Sequence, residues 1–178
     1  MRKWYKHNPT KNEVEISKLI MTTNQDFSPL EIFPCGNGSL YNEREISQFV
    51  WVCGAEARGE SILELQLVAQ VVMNRFFARR TYFGLNVRDI IFKCNCSGVF
   101  QFSSASAIDI NHHWHEREDK SVWVKVAKIV LPYYLGSKVS SEPKMFYYHD
   151  RSIKKPSWAD GLQVIYDLPK MIFYKENK

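Results

Sequence analysis

Apolar positions along the chain fall into three long helical patterns followed by a shorter-period tail. Between Glu43 and Ala57, residues Ile46, Phe49, Val50, Cys53 and Ala57 recur at helical spacing, so they share one stripe able to enter a core. Glu56, three positions beyond Cys53, lies on the same general side, and its carboxylate is expected to face inward at a cleft. Gly59 is placed to end this helix, and Ser61 with Glu64 supplies an N-cap and its reciprocal acid for the next. That next stretch, "SILELQLVAQVVMNRFFARR", is apolar around much of its circumference, the pattern of a central helix enclosed by other elements. Gln66, Gln70 and Asn74 draw a single polar line along it; if buried, such a line needs hydrogen-bond partners, as the wall of a polar site or as an internal network.

Residues 81–118 carry Gly84, Gly98 and many Asn and Ser residues with only short apolar clusters, which predicts a loop-rich wall holding one or two short helices. A third helix is predicted in "DKSVWVKVAKIVLPYYLG", with Val122, Val126, Ile129, Val130 and Tyr133 inward and Lys125 and Lys128 outward. Pro132 should bend or shorten its last turn and Gly136 end it. "KMFYYHD" and "LQVIYDLPKMIFYK" are aromatic and β-branched, as strands are, with turns at Pro156, Asp160 and Gly161. Their pattern is too short to fix strand pairing. Upstream, "NEVE" at 12–15 resembles a capping box before a short helix, and the Pro- and Gly-bearing stretch that follows reads as a connector. Residues 1–40 are therefore expected to form an amino-terminal extension, and residues 41–178 one globular domain, since 178 residues bury a single sizeable core.

A net charge of +5 favours anionic partners without distinguishing nucleic acid, anionic lipid and an acidic cell-wall polymer. Basic residues are scattered, "NRFFARR" being the nearest approach to a patch, so nucleic acid is not the favoured partner. No run approaches the 18 apolar residues of a membrane span, and "MRKWYKHNPTKNEVEISKLI" contains no leader-like apolar segment. Synthesis in the cytoplasm, with delivery by another route, is expected. The four cysteines are expected as free thiols, because a chain of this length needs no staples. "CNC" at 94–96 with "HHWH" at 112–115 invites a zinc reading, but one intervening residue is fewer than paired structural ligands use. No metal is expected, and with no Gly-rich phosphate-binding or dinucleotide pattern, no cofactor.

The chemistry centres on "AEARGE" at 55–60. Cleaving a glycosidic bond requires a proton for a poor oxygen leaving group, and a carboxylic acid against an apolar wall supplies one. Glu56 has that neighbourhood; an ordinary Glu beside a turn is the alternative. Glu60, one helical turn on, would share a wall with Glu56, whereas a retaining glycosidase sets its two carboxylates on opposite sides of the bond. Glu60 is read as a first-turn charge or as a hydrogen bonder behind Glu56. Arg58 and Arg75 are read as surface or structural pairing residues.

"AEARGE" followed by "VAQVVMNR" at 68–75 resembles the start of the SleB and CwlJ group of cell-wall hydrolases. "QFSS" at 101–104, "MFYYH" at 145–149, "PSWAD" at 156–160 and "MIFYK" at 171–175 are similar to later parts of that pattern, which together cover about residues 43–175. Two departures stand out: Met171 where the family often has a His, and an expanded segment from Cys94 to Phe100. The resemblance implies a mainly α fold, lysozyme-like α+β, with a buried central helix and a small extended or β carboxy-terminal part. It implies action on peptidoglycan glycan strands, with Glu56 catalytic in a lytic transglycosylase or a muramidase; the chain is expected to act as a monomer. Asn74 and Ser103 would position substrate, Tyr147, Tyr148 and Trp158 would pack against sugar rings, and Glu60 would stand behind the acid. Related domains are encoded by bacteriophages, which points to holin-assisted or virion-carried delivery. The rival readings are a noncatalytic wall-binding or virion structural protein and, from charge alone, a nucleic-acid binder.

Overall fold

The computed structural model describes residues 43–57, 61–107 and 120–177. The amino-terminal extension, Cys35, Arg58, Gly59, Glu60 and the "HHWH" segment lie outside the described residues. Helix α1 spans Glu43–Glu56, and α2 spans Ile62–Ala78. Ser61 caps α2 as its sequence suggests: its hydroxyl accepts from the Glu64 backbone N–H at 3.3 Å while the Glu64 carboxylate accepts from the Ser61 N–H at 3.0 Å. This reciprocal pair satisfies two N–H groups that a helix start otherwise leaves open. A short α3, Val87–Ile91, follows, capped by Asn86, and then a 3-10 turn at Ser103–Ala107. Helix α4 runs Lys120–Tyr134 with Pro132 inside its last turn. Its end is set by Gly136 at φ 74°, a left-handed conformation that glycine adopts without steric cost.

The carboxy-terminal segment forms strands β1 (Met145–Asp150), β2 (Gln163–Asp167) and β3 (Met171–Lys175). They make one antiparallel sheet in the order β1-β3-β2, with Tyr148 opposite Phe173 and Tyr147 opposite Tyr174. The central strand is the most apolar, and β2, at an edge, is largely exposed.

The core joins Phe49, Val50 and Cys53 of α1, Leu67, Val68, Val71 and Val72 of α2, Val130 and Leu131 of α4, and Met145, Phe146 and Phe173 of the sheet. Helix α2 lies against α1, α3, α4 and β1, which is why its apolar surface extends most of the way round. The expected mainly α, lysozyme-like α+β fold is corrected: the described residues form mixed α-helices with one three-stranded antiparallel sheet, which is not a lysozyme-like arrangement. The carboxy-terminal part is a small three-stranded antiparallel sheet, and Met145 and Phe146 of β1, which lies against α2, join the core with Phe173 of β3.

The buried face of α4 keeps Val126, Val130 and Tyr133 as predicted but is turned toward Trp123 at its start. Val122, expected inside, is 45% exposed, and Trp123, Ala127 and Leu131 are buried. Gly54 explains this difference: a Cβ there would sit 2.6 Å from Cζ3 of Trp123. The missing side chain opens a slot on α1 that takes the indole, which also stacks on Trp51 at 6.4 Å.

Candidate active site

The apolar stripe of α1 enters the core as its spacing predicts, with Ile46, Phe49, Val50, Cys53 and Ala57 all buried. Glu56 ends the helix on that side, half-buried, with both carboxylate oxygens engaged. Oε1 accepts from the Ser104 backbone N–H at 2.7 Å and from the Ser103 hydroxyl at 3.2 Å; Oε2 accepts from the Tyr148 hydroxyl at 2.7 Å.

Local structure accounts for each donor. The Cys94–Phe100 bridge and the Asn95 side chain, accepting from the N–H groups of Ser97 and Val99, fold the preceding turn. Buried Phe102 then anchors the chain, and the 3-10 turn begins at Ser103. An N–H in a first turn has no partner within the turn, so that of Ser104 is available to Glu56. Tyr148 comes from β1 on the sheet face that also carries Phe173, its ring 5.5 Å from Phe173 and 6.1 Å from Phe102. Burial, and next the charge of Glu56, push the Tyr148 phenol well above its ordinary pKa. It therefore stays protonated and donating at neutral pH. Burial likewise raises the Cys53 thiol, with Glu56 adding to the effect; that cysteine is a core side chain. Cys53, Cys94 and Cys96 are free thiols.

Beneath this cluster lies Arg75, which is 5% exposed. Its Nε donates to the Phe146 carbonyl at 2.8 Å and its Nη1 to Oε1 of Gln101 at 3.1 Å. The guanidinium packs against Phe102, Phe83 and Tyr147, at 4.8, 5.1 and 5.8 Å from the ring centres. Burial lowers its pKa to about 10, opposed by Tyr148, Tyr147 and Glu56. Of the expected surface or structural roles for Arg75, the structure shows the structural one, though buried and with neutral acceptors. One signal was available: on a helix that is apolar nearly all round, even a charge in the last turn, where Arg75 lies, falls among apolar neighbours.

The other candidate residues divide. Ser103 and Tyr148 meet Glu56. Asn74 instead gives its amide to the carbonyls of Glu142 and Met145, both at 2.8 Å, and Gln70 accepts from Ser140 and Ser141. Gln70 and Asn74 of the polar line on α2 thus form an internal network holding the segment that leads into β1. Tyr147 and His149 alternate with Tyr148 and so occupy the opposite face of the sheet. There Trp158, 45% exposed, packs near Tyr147, His149 and Tyr174. The Tyr147 hydroxyl donates to Glu176 at 3.4 Å, and burial first pushes its pKa up to about 12. Glu60 lies outside the described residues. Among the described residues, no group of three or more His, Cys, Asp or Glu is placed to hold a metal, and no helix is long and apolar enough to cross a membrane.

A half-buried carboxylate held by three donors, one of them an exposed hydroxyl, is equipped for proton exchange with a bound substrate, the working part of many hydrolases. Residues 59–174 match the Cell Wall Hydrolase family. That span is well over half of the chain, which therefore belongs to this family and carries hydrolase-type activity directed at cell-wall material. The matched segment contains Arg75, Ser103, Ser104 and Tyr148, and it begins just after Glu56. No curated protein and no solved structure matches the chain.

Proposed function

We propose that the protein cleaves peptidoglycan glycan strands between N-acetylmuramic acid and N-acetylglucosamine, as a lytic transglycosylase of the SleB and CwlJ type with Glu56 as acid and then base. The observation carrying this reading is the convergence of Ser103, Ser104 and Tyr148 on the Glu56 carboxylate. Protonated on Oε1, Glu56 hands its proton to the bridging oxygen as the bond from C1 of the muramic acid breaks. A hydroxyl both donates and accepts, so Ser103 turns to accept from the protonated carboxyl and to donate to the carboxylate. Tyr148 and the Ser104 N–H only donate, and they stabilise the negative charge as the proton leaves.

The positive charge growing on the sugar needs an opposing group. Among the described residues, no carboxylate bonds within the Glu56 cluster, and Glu45, Glu64, Glu142 and Glu176 are engaged by Tyr134, Ser61, Lys175 and Arg80 respectively. This favours the substrate's own acetamido oxygen in that role. The Glu56 carboxylate then removes the proton of the C6 hydroxyl, whose oxygen closes on C1 to leave an anhydromuramyl end.

The test is Glu56→Gln beside the parent on purified sacculi, with mass analysis of the products. The parent is expected to release anhydromuramyl fragments, each one water lighter than the reducing fragments a muramidase would leave. The variant is expected to fold, bind and release nothing. Cleavage by the variant at the parent's rate would remove Glu56 from the chemistry, and reducing ends from the parent would replace the internal ring closure by attack of water.

A further inference from the structure

Arg75 is a buried cation that this mechanism does not use. A guanidinium taken out of water is costly unless its charge is matched and its N–H groups are bonded. Yet among the described residues its two hydrogen-bond acceptors are neutral, the Phe146 carbonyl and the Gln101 amide oxygen, and no carboxylate there forms an ion pair with it. Both acceptors occupy informative positions. Phe146 lies two residues before Tyr148 on β1, and Gln101 two residues before Ser103. One planar group therefore ties together the two segments, far apart in sequence, that supply the donors to Glu56. The rings of Phe83, Phe102 and Tyr147 hold its orientation, their π faces favouring the cation.

We infer that Arg75 is a positioning residue of the Glu56 site: its guanidinium clamps the Gln101–Ser104 segment to β1 and so sets Ser103, Ser104 and Tyr148 at bonding distance from the carboxylate. This rests on the reading of Glu56 as the acid and base. Lysine cannot substitute for it, because one ammonium lacks the planar fork that reaches two acceptors in fixed directions. The clamp acts through Glu56 and not on the polymer, so its loss appears in kcat and not in KM.

The experiment compares Arg75→Lys, Arg75→Met and Gln101→Leu with the parent, measuring kcat and KM on purified peptidoglycan well below each protein's melting temperature. Gln101 is exposed, so Gln101→Leu keeps the fold intact should a change at Arg75 prevent folding. Displacements on the order of 1 Å at a reacting group cost about a hundredfold. Arg75→Met is expected to lose about that in kcat, with Arg75→Lys and Gln101→Leu losing roughly tenfold and KM within about threefold throughout. Parental kcat in folded Arg75→Lys and Gln101→Leu overturns the inference, as does a raised KM at unchanged kcat, which would make Arg75 a substrate contact. Glu56→Gln separates the two failures: if it is inactive while these variants match the parent, the clamp alone is wrong, and if it is active, the reading of Glu56 falls as well.

Discussion

Tyr148→Phe removes one oxygen and keeps the ring, which makes it the cleanest probe of how the acid is held. Among the described residues, the Tyr148 hydroxyl is the sole donor to Oε2 of Glu56, at 2.7 Å, while Oε1 retains Ser104 and Ser103. The ring contacts with Phe102 and Phe173 survive the change, so packing is preserved. A hydrogen bond to a charged group contributes about 1.5–3 kcal/mol. It acts on the carboxylate more than on the neutral acid, so its loss falls on the step in which the proton departs. At roughly 1.4 kcal/mol per factor of ten, kcat on purified peptidoglycan should fall about tenfold to a hundredfold, with KM within about threefold. Calorimetry should show little change in melting temperature, because the variant also spares a phenol that burial disfavours. Retention of more than half the parental kcat in a folded Tyr148→Phe protein would refute the argument that this bond supports proton transfer.

Three further outcomes follow from the packing. Gly54→Ala drives a methyl group toward Cζ3 of Trp123 and should destabilise by about 1–3 kcal/mol, read as a melting temperature lower by several degrees. Asn74→Ala strips the donors from the Glu142 and Met145 carbonyls and should cost about 2–4 kcal/mol in denaturant unfolding, while activity persists where the variant is folded. His149 is buried against Tyr174, and burial, followed by the charge of Arg151, lowers its pKa. The unfolded chain then binds the proton more readily, so this contribution to stability is complete above the unfolded value of about 6.5 and is lost as pH falls through the lower folded value. Melting temperatures measured from pH 7 downward should drop less in His149→Phe than in the parent, and parallel curves would remove His149 from the pH dependence.

Helical spacing alone was enough to place Ile46, Phe49, Val50 and Cys53 inside, to put Glu56 beside them, and to start α2 at Ser61 with its capping partner. These are local matters: the 3.6-residue period and a three-residue capping bond are written in neighbouring positions. Strand-forming character in the tail was legible for the same reason. Its order β1-β3-β2 was not, because the register depends on which face finds a core. The donors to Glu56 lie 47, 48 and 92 positions away along the chain, and one of them is a backbone N–H that any residue type would supply. Tertiary structure alone decided that Tyr148 turns toward Glu56 while Tyr147 and Trp158 take the other side of the sheet. It also decided that Arg75 enters the space beneath, and that Gly54 admits Trp123 and turns Val122 outward. The period of a helix belongs to its own residues, whereas a contact between distant segments exists only once the sheet has packed against α2 and fixed where each strand's side chains emerge.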